Sequence, residues 1–318
     1  MHVLRGILVS FLVLSAVTAD AQSVTPNEWL ERMSSAVTTL NFEGTVIRRR
    51  DGQSNAMKVT RRIVDGVVQE KLVSQEGNGL EIVRHGTEVY CILPDKRSVL
   101  VEQWDDGLTL FSTLPTGQLD FGSEYDLLLV REERVAGRRA MLLAVRPHDG
   151  YRYGHKVWLD RETAFPLRTE LVGGDGALLE QLKFADIDLD ADISADALKP
   201  SFDLQQFTWY PESARADVAT IDSNWGSDDL PAGFRLVSAS EEMLEGSDSP
   251  VVHLMYSDGL ASVSVFVAQS GDDQNLPGGL LGGPSNMHSV ESDGYLVTAM
   301  GEVPPATVRR IAVSMRRQ

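Results

Sequence analysis

The chain has 318 residues, 46 acidic against 29 basic side chains, a net charge of −17 and one cysteine. That length has room for two domains of ordinary size; one cysteine excludes an intrachain disulfide, and the acidity argues against nucleic acid, which needs a basic footprint. The acidity is concentrated late, where residues 201–318 carry 16 Asp and Glu against 6 Lys and Arg.

Met1 to Arg5 is a short basic start, and the apolar run "GILVSFLVLSAV" behind it is too short to span a bilayer comfortably. Ala19-Asp20-Ala21 supplies the small-x-small pattern of a signal-peptidase site, and no cysteine follows to take a lipid. The expectation is a signal peptide over 1–21 and an exported, soluble chain beginning near Gln22, with no transmembrane anchor. Thr25-Pro26-Asn27-Glu28 is then a capping box with proline at the first helical position. Trp29, Met33, Ala36, Val37 and Leu40 share one face of the helix it opens, which must lie on something apolar.

After the helix the period changes to two. "FEGTVIRRR", "AMKVTRRIV", "VVQEKLVSQ", "LEIVRHG", "TEVYCIL" and "RSVLVEQW" read as short strands, punctuated by Asp51-Gly52, Asp65-Gly66, Asn78-Gly79, His85-Gly86 and Pro94-Asp95. Strands at that rhythm make an antiparallel meander, and a curled meander with one covering helix leaves a concave face. Arg48-Arg49-Arg50 and Arg61-Arg62 form a local basic cluster, read equally as a solvated strand end or an anionic-ligand contact. Cys91 in its alternating strand reads as a structural thiol. The stretch "DDGLTLFSTLPTGQLDFGSEYDLLLV" breaks the rhythm and is expected to form short helices or a loop over the concavity. "ERVAGRRAMLLAVRP" resumes the strands.

"YRYGHKVWLDRETAFPLRTEL", residues 151–171, is dense in functional groups. Its alternation, Tyr151, Tyr153, His155, Val157 and Leu159 against Arg152, Gly154, Lys156, Trp158 and Asp160, reads as a two-sided strand rather than an active site, with His155 a packing residue. Residues 201–226 are poorly patterned and read as a linker. The remainder, 227–318, reads as a second domain of strands, with a hairpin around Ser257-Asp258-Gly259 and a closing helix, "PATVRRIAVSMRR".

Catalytic patterns are missing. The glycine-rich loop "NLPGGLLGGPSN" lacks the Gly-Lys-Ser/Thr ending of a phosphate cradle, and no Gly-x-Ser-x-Gly elbow or zinc-helix histidine pair occurs. "DIDLDADISADA" spaces three aspartates like a calcium loop but has Ala191 at the sixth position and Ala197 at the twelfth. No cofactor, metal or catalytic residue is assigned. A curved sheet with an apolar concavity suits a carrier or sensor of apolar ligands, for which burial supplies about 25 cal/mol per Å².

The stretches "NEWLERMSSAVTTLNFEGT", "YRYGHKVWLDRETAFPLRTEL", "VVHLMYSDGLASVSVFV" and "GEVPPATVRRIA", in this order behind a signal peptide, resemble the RseB/MucB family of periplasmic negative regulators of the sigma-E envelope-stress response. The resemblance implies an α+β protein. Its N-terminal domain over 22–200 would be an open antiparallel β half-barrel like LolA and LolB, with helices in the concavity and a lipid-sensing role. A smaller mixed α/β domain over 227–318 would bind the anti-sigma factor. It further implies an RseA/MucA-like partner whose first proteolytic cut is hindered, release by lipid or lipopolysaccharide, and a homo-oligomer. On that basis Leu108, Leu110, Phe111 and Leu114, with Trp29, are the expected acyl-chain contacts, an ordinary core plug being the equal alternative for the "GLTLFSTL" segment. Tyr256 and Phe266 on a hairpin with an open edge, with Glu302, Val303 and Pro304, are the expected partner contacts. The competing readings are a periplasmic lipoprotein carrier of LolA type, which leaves the second domain without a task, and a hydrolase, for which no nucleophile is found.

Overall fold

The structure, a computed structural model, describes residues 24–104, 110, 123–211, 219–220, 222–243, 249–270 and 283–318. The expected signal peptide, with Leu108, Phe111 and Leu114, lies outside the described residues.

Helix α1 (Pro26–Thr39) begins where the sequence places it. The Thr25 N–H donates to Glu28 Oε2 at 2.6 Å, and the Glu28 N–H donates back to Thr25 Oγ1 at 3.3 Å. Trp29, Leu30, Met33, Ala36 and Val37 are buried, and the larger of these side chains each contribute about 1.5–3 kcal/mol by leaving water.

Eleven antiparallel strands follow. They are β1 (Phe42–Arg50), β2 (Gln53–Val64), β3 (Val67–Ser74), β4 (Glu81–His85), β5 (Glu88–Leu93), β6 (Ser98–Gln103), β7 (Tyr125–Val135), β8 (Arg138–Pro147), β9 (Gly154–Asp160), β10 (Pro166–Val172) and β11 (Leu178–Asp188). A short β12 (Thr208–Tyr210) joins parallel to β6, giving the order β12-β6-β5-β4-β3-β2-β1-β11-β10-β9-β8-β7. The two end strands do not pair with each other, so the sheet is open. Two of its hairpins turn on Asp51-Gly52 and Asp65-Gly66 with both central residues at positive φ, the geometry that a right-twisted hairpin requires. Where β1 meets β11, Gly44 passes so close that a Cβ would lie 2.5 Å from the Asp186 carbonyl oxygen.

The interior face carries α1. Its buried side chains form one cluster with Phe42 and Val46 of β1, with Val59, Leu72, Leu142, Trp158 and Phe184 from strands on both sides of it, and with Phe165 from the turn before β10. Two local expectations change. Tyr151 to Tyr153 precede β9 instead of extending it, and the segment expected as a linker from 201 opens with ordered structure. There β12 extends the first sheet, and Leu204 and Phe207 pack on Val83, Ile92 and Val99.

The second sheet is built from β13 (Ala219–Thr220), β15 (Arg235–Glu242), β16 (Val251–Ser257), β17 (Ser262–Gln269), β18 (Asn286–Ser292) and β19 (Tyr295–Gly301), in the order β13-β15-β16-β17-β19-β18. Helix α2 (Pro305–Ser314) lies against β18 and β19, with Val308, Ile311 and Ala312 fully buried. The chain then leaves the helix as β20 (Met315–Arg317), paired with β14 (Trp225–Ser227).

Candidate functional site at the domain joint

The residues between β8 and β9 face the turn between β16 and β17, and the contact is built on one buried arginine. Arg152 is 1% exposed. Its Nε donates to Asp258 Oδ2 at 2.5 Å, its other nitrogens donate to Asp149 and the Ala232 carbonyl, and its guanidinium lies 5.1 Å from the Phe234 ring. Burial opposes its charge, but Asp258 and Asp149 outweigh burial and hold the pKa above the ordinary value. Tyr125 donates its hydroxyl to the same Asp258 oxygen at 2.8 Å, and burial followed by the nearby carboxylate pushes the phenol pKa up. The other oxygen, Asp258 Oδ1, accepts the Leu260 and Ala261 N–H groups at 3.0 and 2.8 Å and shapes the turn.

Around this ion pair lie further cross-domain bonds. Thr307 Oγ1 donates to the Tyr151 carbonyl at 2.7 Å and Asn286 Nδ2 to the Tyr153 hydroxyl at 3.0 Å; within the second domain the same amide is held by a bond to the Val303 carbonyl at 2.8 Å. Arg50 lies 3.8 Å from Glu302 and 3.5 Å from Glu180. Between these contacts sits a cavity of about 270 Å³ lined by Tyr125, Tyr153, His155, Leu171, Leu260 and Glu302, among others. Burial lowers the His155 pKa to about 4, so the imidazole is neutral at ordinary pH; burial and the neighbouring Glu180 raise that of Glu302. Ser262 also lines the cavity, but its hydroxyl donates to Ser257 Oγ at 3.3 Å, and no bond joins it to His155 among the described residues. The joint is equipped to hold two surfaces together or to admit a third.

Matches to known proteins cover both sides of this joint. The sequence model for the MucB/RseB N-terminal domain matches residues 25–202, and that for the MucB/RseB C-terminal domain matches 219–316. The chain belongs to the MucB/RseB family. Among its relatives is the sigma factor AlgU regulatory protein MucB of Pseudomonas aeruginosa, 33% identical over 314 residues, which are 95% of this chain and 94% of the relative. The sigma-E factor regulatory protein RseB of Escherichia coli K12 is 28% identical over 296 residues, 90% of this chain and 89% of the relative. In the solved structure of the Pseudomonas aeruginosa MucA/MucB complex, a matching chain superimposes with a TM-score of 0.69 at 30% identity, covering 92% of this chain and 99% of that one.

Against the MucB/RseB frame, the residues singled out in the sequence fall in different places. Trp29 is a core side chain, 1% exposed, with Arg32 at 4.7 Å and Arg161 at 5.6 Å from its ring. Leu110 is partly buried and packs on the same cluster. Tyr256 and Phe266 are buried, and their hairpin has no open edge. β16 is flanked by β15 and β17, and β17 by β16 and β19; the sheet ends at β13 and β18. Tyr256 bonds to Met315 Sδ at 3.7 Å, and Phe266 stacks on His253 at 4.4 Å. Val303 is fully buried, Pro304 caps α2, and Glu302 faces the joint. Arg61 of the basic cluster is not part of a solvated strand end. Arg61 is 1% exposed on the interior face, in register with Glu70, which pairs in turn with Arg84. Arg61 Nε and Nη1 and Glu70 Oε1 find no hydrogen-bond partner among the described residues, and burial raises the Glu70 pKa. Cys91 is half-buried, its thiol pKa pushed to about 11 by burial.

Proposed function

We propose that this protein is a periplasmic negative regulator of an envelope-stress sigma factor. It binds the periplasmic region of the membrane anti-sigma factor, hinders the first proteolytic cut there, and leaves when lipid or lipopolysaccharide binds. One observation carries the reading. The chain aligns over 92% of its length with a chain of the solved MucA/MucB complex. Its chemistry agrees: the joint offers ion pairs, aromatic rings and amide contacts, which are means of holding a surface rather than of making bonds.

In this reading residues 22–200 sense lipid and residues 227–318 bind the partner, after loss of a signal peptide over 1–21. Acyl chains enter beside Leu108, Leu110, Phe111 and Leu114 and reach the helix that carries Trp29, and the protein self-associates. Because Tyr256, Phe266 and Val303 are buried, their part in partner binding is to support the surface, leaving Glu302 and Pro304 as candidates for direct contact.

The test is a protection assay. The purified protein should slow cleavage of the anti-sigma periplasmic region by its site-1 protease, and added lipopolysaccharide should restore the rate. Cleavage at the same rate with and without the protein would overturn the regulatory reading. If Phe111→Asp left lipid affinity unchanged, the acyl entry would have to lie elsewhere.

A further inference from the structure

Helix α2 buries one side and leaves the other uncovered. Thr307, Val308, Ile311 and Ala312 face inward. Ala306, Arg309 and Val313 are exposed at spacings of three and four, which sets them in a single stripe, and Arg316, on β20, lines the same groove. Val313 is 46% exposed. An open groove of about 670 Å³ lies beside this stripe, lined also by Tyr151 from the N-terminal domain and by Asp228 and Asp229, which bond to Ser314 and Arg310 of the helix.

The charges in the groove differ in how far they are used. Arg310 pairs with Asp229 and lies 4.8 Å from the Tyr151 ring, so its charge is already met. Arg309 and Arg316 take part in no ion pair among the described residues, and Arg316 is aimed by bonds from Nη1 to the Val313 and Met315 carbonyls at 2.8 and 2.7 Å. Residues 201–318 hold 6 basic side chains, and four of them, Arg309, Arg310, Arg316 and Arg317, fall within nine positions of the C-terminus. An anionic partner is therefore repelled by most of this domain and attracted at one place, which fixes where it docks more than how tightly.

The floor between the arginines is apolar: Val313, Ala306 and the Tyr151 ring. The geometry points to a docking groove for an acidic, amphipathic peptide segment. One apolar side chain rests on Val313 while carboxylates meet Arg309 and Arg316. The two aspartates that also line the groove repel a continuous anionic membrane surface and favour a segment whose carboxylates are confined to Arg309 and Arg316. We assign the segment to the periplasmic region of the anti-sigma partner, so the inference rests on the regulatory reading and gives it a contact surface on α2.

The test measures binding of the purified periplasmic region of that anti-sigma factor, across a salt series, to the full mature protein. The variants are R309E/R316E, R309Q/R316Q and R309K/R316K, each with its thermal melt. The expected result is about ten-fold weaker binding or more for the reversed pair at low salt. A flatter salt dependence is expected for the glutamine pair, and near-normal binding for the lysine pair. If the wild type binds and the reversed and glutamine pairs bind equally well, the groove is not the site and the regulatory reading stands. If the wild type fails to bind, the regulatory reading itself falls, and the assigned occupant with it. Should R309E/R316E melt early, the glutamine pair decides.

Discussion

Asp258→Ala is the sharpest perturbation of the joint. The carboxylate accepts four hydrogen bonds: two from the Leu260 and Ala261 N–H groups of its own turn, one from Tyr125 and one from Arg152. The turn amides stand near solvent and can take up water, so their loss costs about 1 kcal/mol together. The other two donors are buried, and removing their acceptor leaves the guanidinium with Asp149 and the Ala232 carbonyl and takes from the Tyr125 hydroxyl its bond to the joint. Breaking a buried ion pair from one side costs about 3–5 kcal/mol, a large share of the roughly 5–15 kcal/mol that holds a typical protein folded. Urea unfolding followed by tryptophan fluorescence reads this directly, because Trp158 reports the first domain and Trp225 the second. The variant should unfold at lower urea and in two separated transitions, since the contact that couples the domains is gone. Arg152→Met combined with Asp258→Leu removes both charges and should recover all but the turn's share. A cost below about 1 kcal/mol for Asp258→Ala would refute the buried-pair account. So would a double variant no more stable than the single one.

Other expectations test separate parts of the fold. His155 has a folded pKa of about 4 against an ordinary 6.5, so the unfolded chain takes up a proton that the folded one refuses. Its contribution is intact above about pH 7 and is lost as pH falls from 6.5 toward 4, by about 3 kcal/mol at most and by less because the ring is only half-buried. His155→Gln should flatten that part of the pH profile of the urea midpoint; an unchanged slope would show that the ring is hydrated. Gly44→Ala drives a methyl group against the Asp186 carbonyl and the Ile187 Cα, both backbone atoms that cannot swing aside. It should lower stability by about 1–3 kcal/mol in urea titration. Thr25→Ala removes half of the capping box and should cost about 1 kcal/mol in the same assay, whereas Thr25→Ser should cost little.

What could be read from the sequence was whatever is decided within a few residues. The capping box at Thr25 and Glu28, the Asp-Gly turns and the period-two runs each state their conformation locally, and apart from Tyr151 to Tyr153 the structure has them where they are expected. The closing helix was legible for the same reason, up to Met315, where pairing with Trp225–Ser227 takes over and the helical pattern has no means of announcing it. Parallel pairing of Thr208–Tyr210 with β6 is another such case, a contact between segments that the chain separates by about a hundred residues. Arg61, Glu70 and Arg84 were illegible for a different reason. Alternation assigns charged residues to the wet face, and these three occupy the dry one, in register, so a rule about polarity has no means of placing them there. The hairpin bearing Tyr256 and Phe266 was seen correctly as a hairpin, but its neighbours in the sheet, which deny it an edge, lie on other strands.

Asp258 shows how a local signal can conceal a distant role. Tyr-Ser-Asp-Gly is a sufficient turn sequence by itself, so nothing in the hairpin asks for a further explanation of the aspartate. Yet its two oxygens divide the work. Oδ1 holds the turn amides, and with the side chain held in that position Oδ2 is presented to Arg152 and Tyr125. The turn therefore orients the acceptor before the domains meet, and the joint spends little entropy on arranging it. Any substitution that keeps the charge but loosens the turn should weaken the joint as well. Asp258→Glu, one methylene longer, separates the two effects: it retains the carboxylate and cannot hold both oxygens in place. Stability close to that of Asp258→Ala would mean that the geometry, set by four residues of local sequence, matters as much as the charge. Near-wild-type stability would mean that the charge alone suffices.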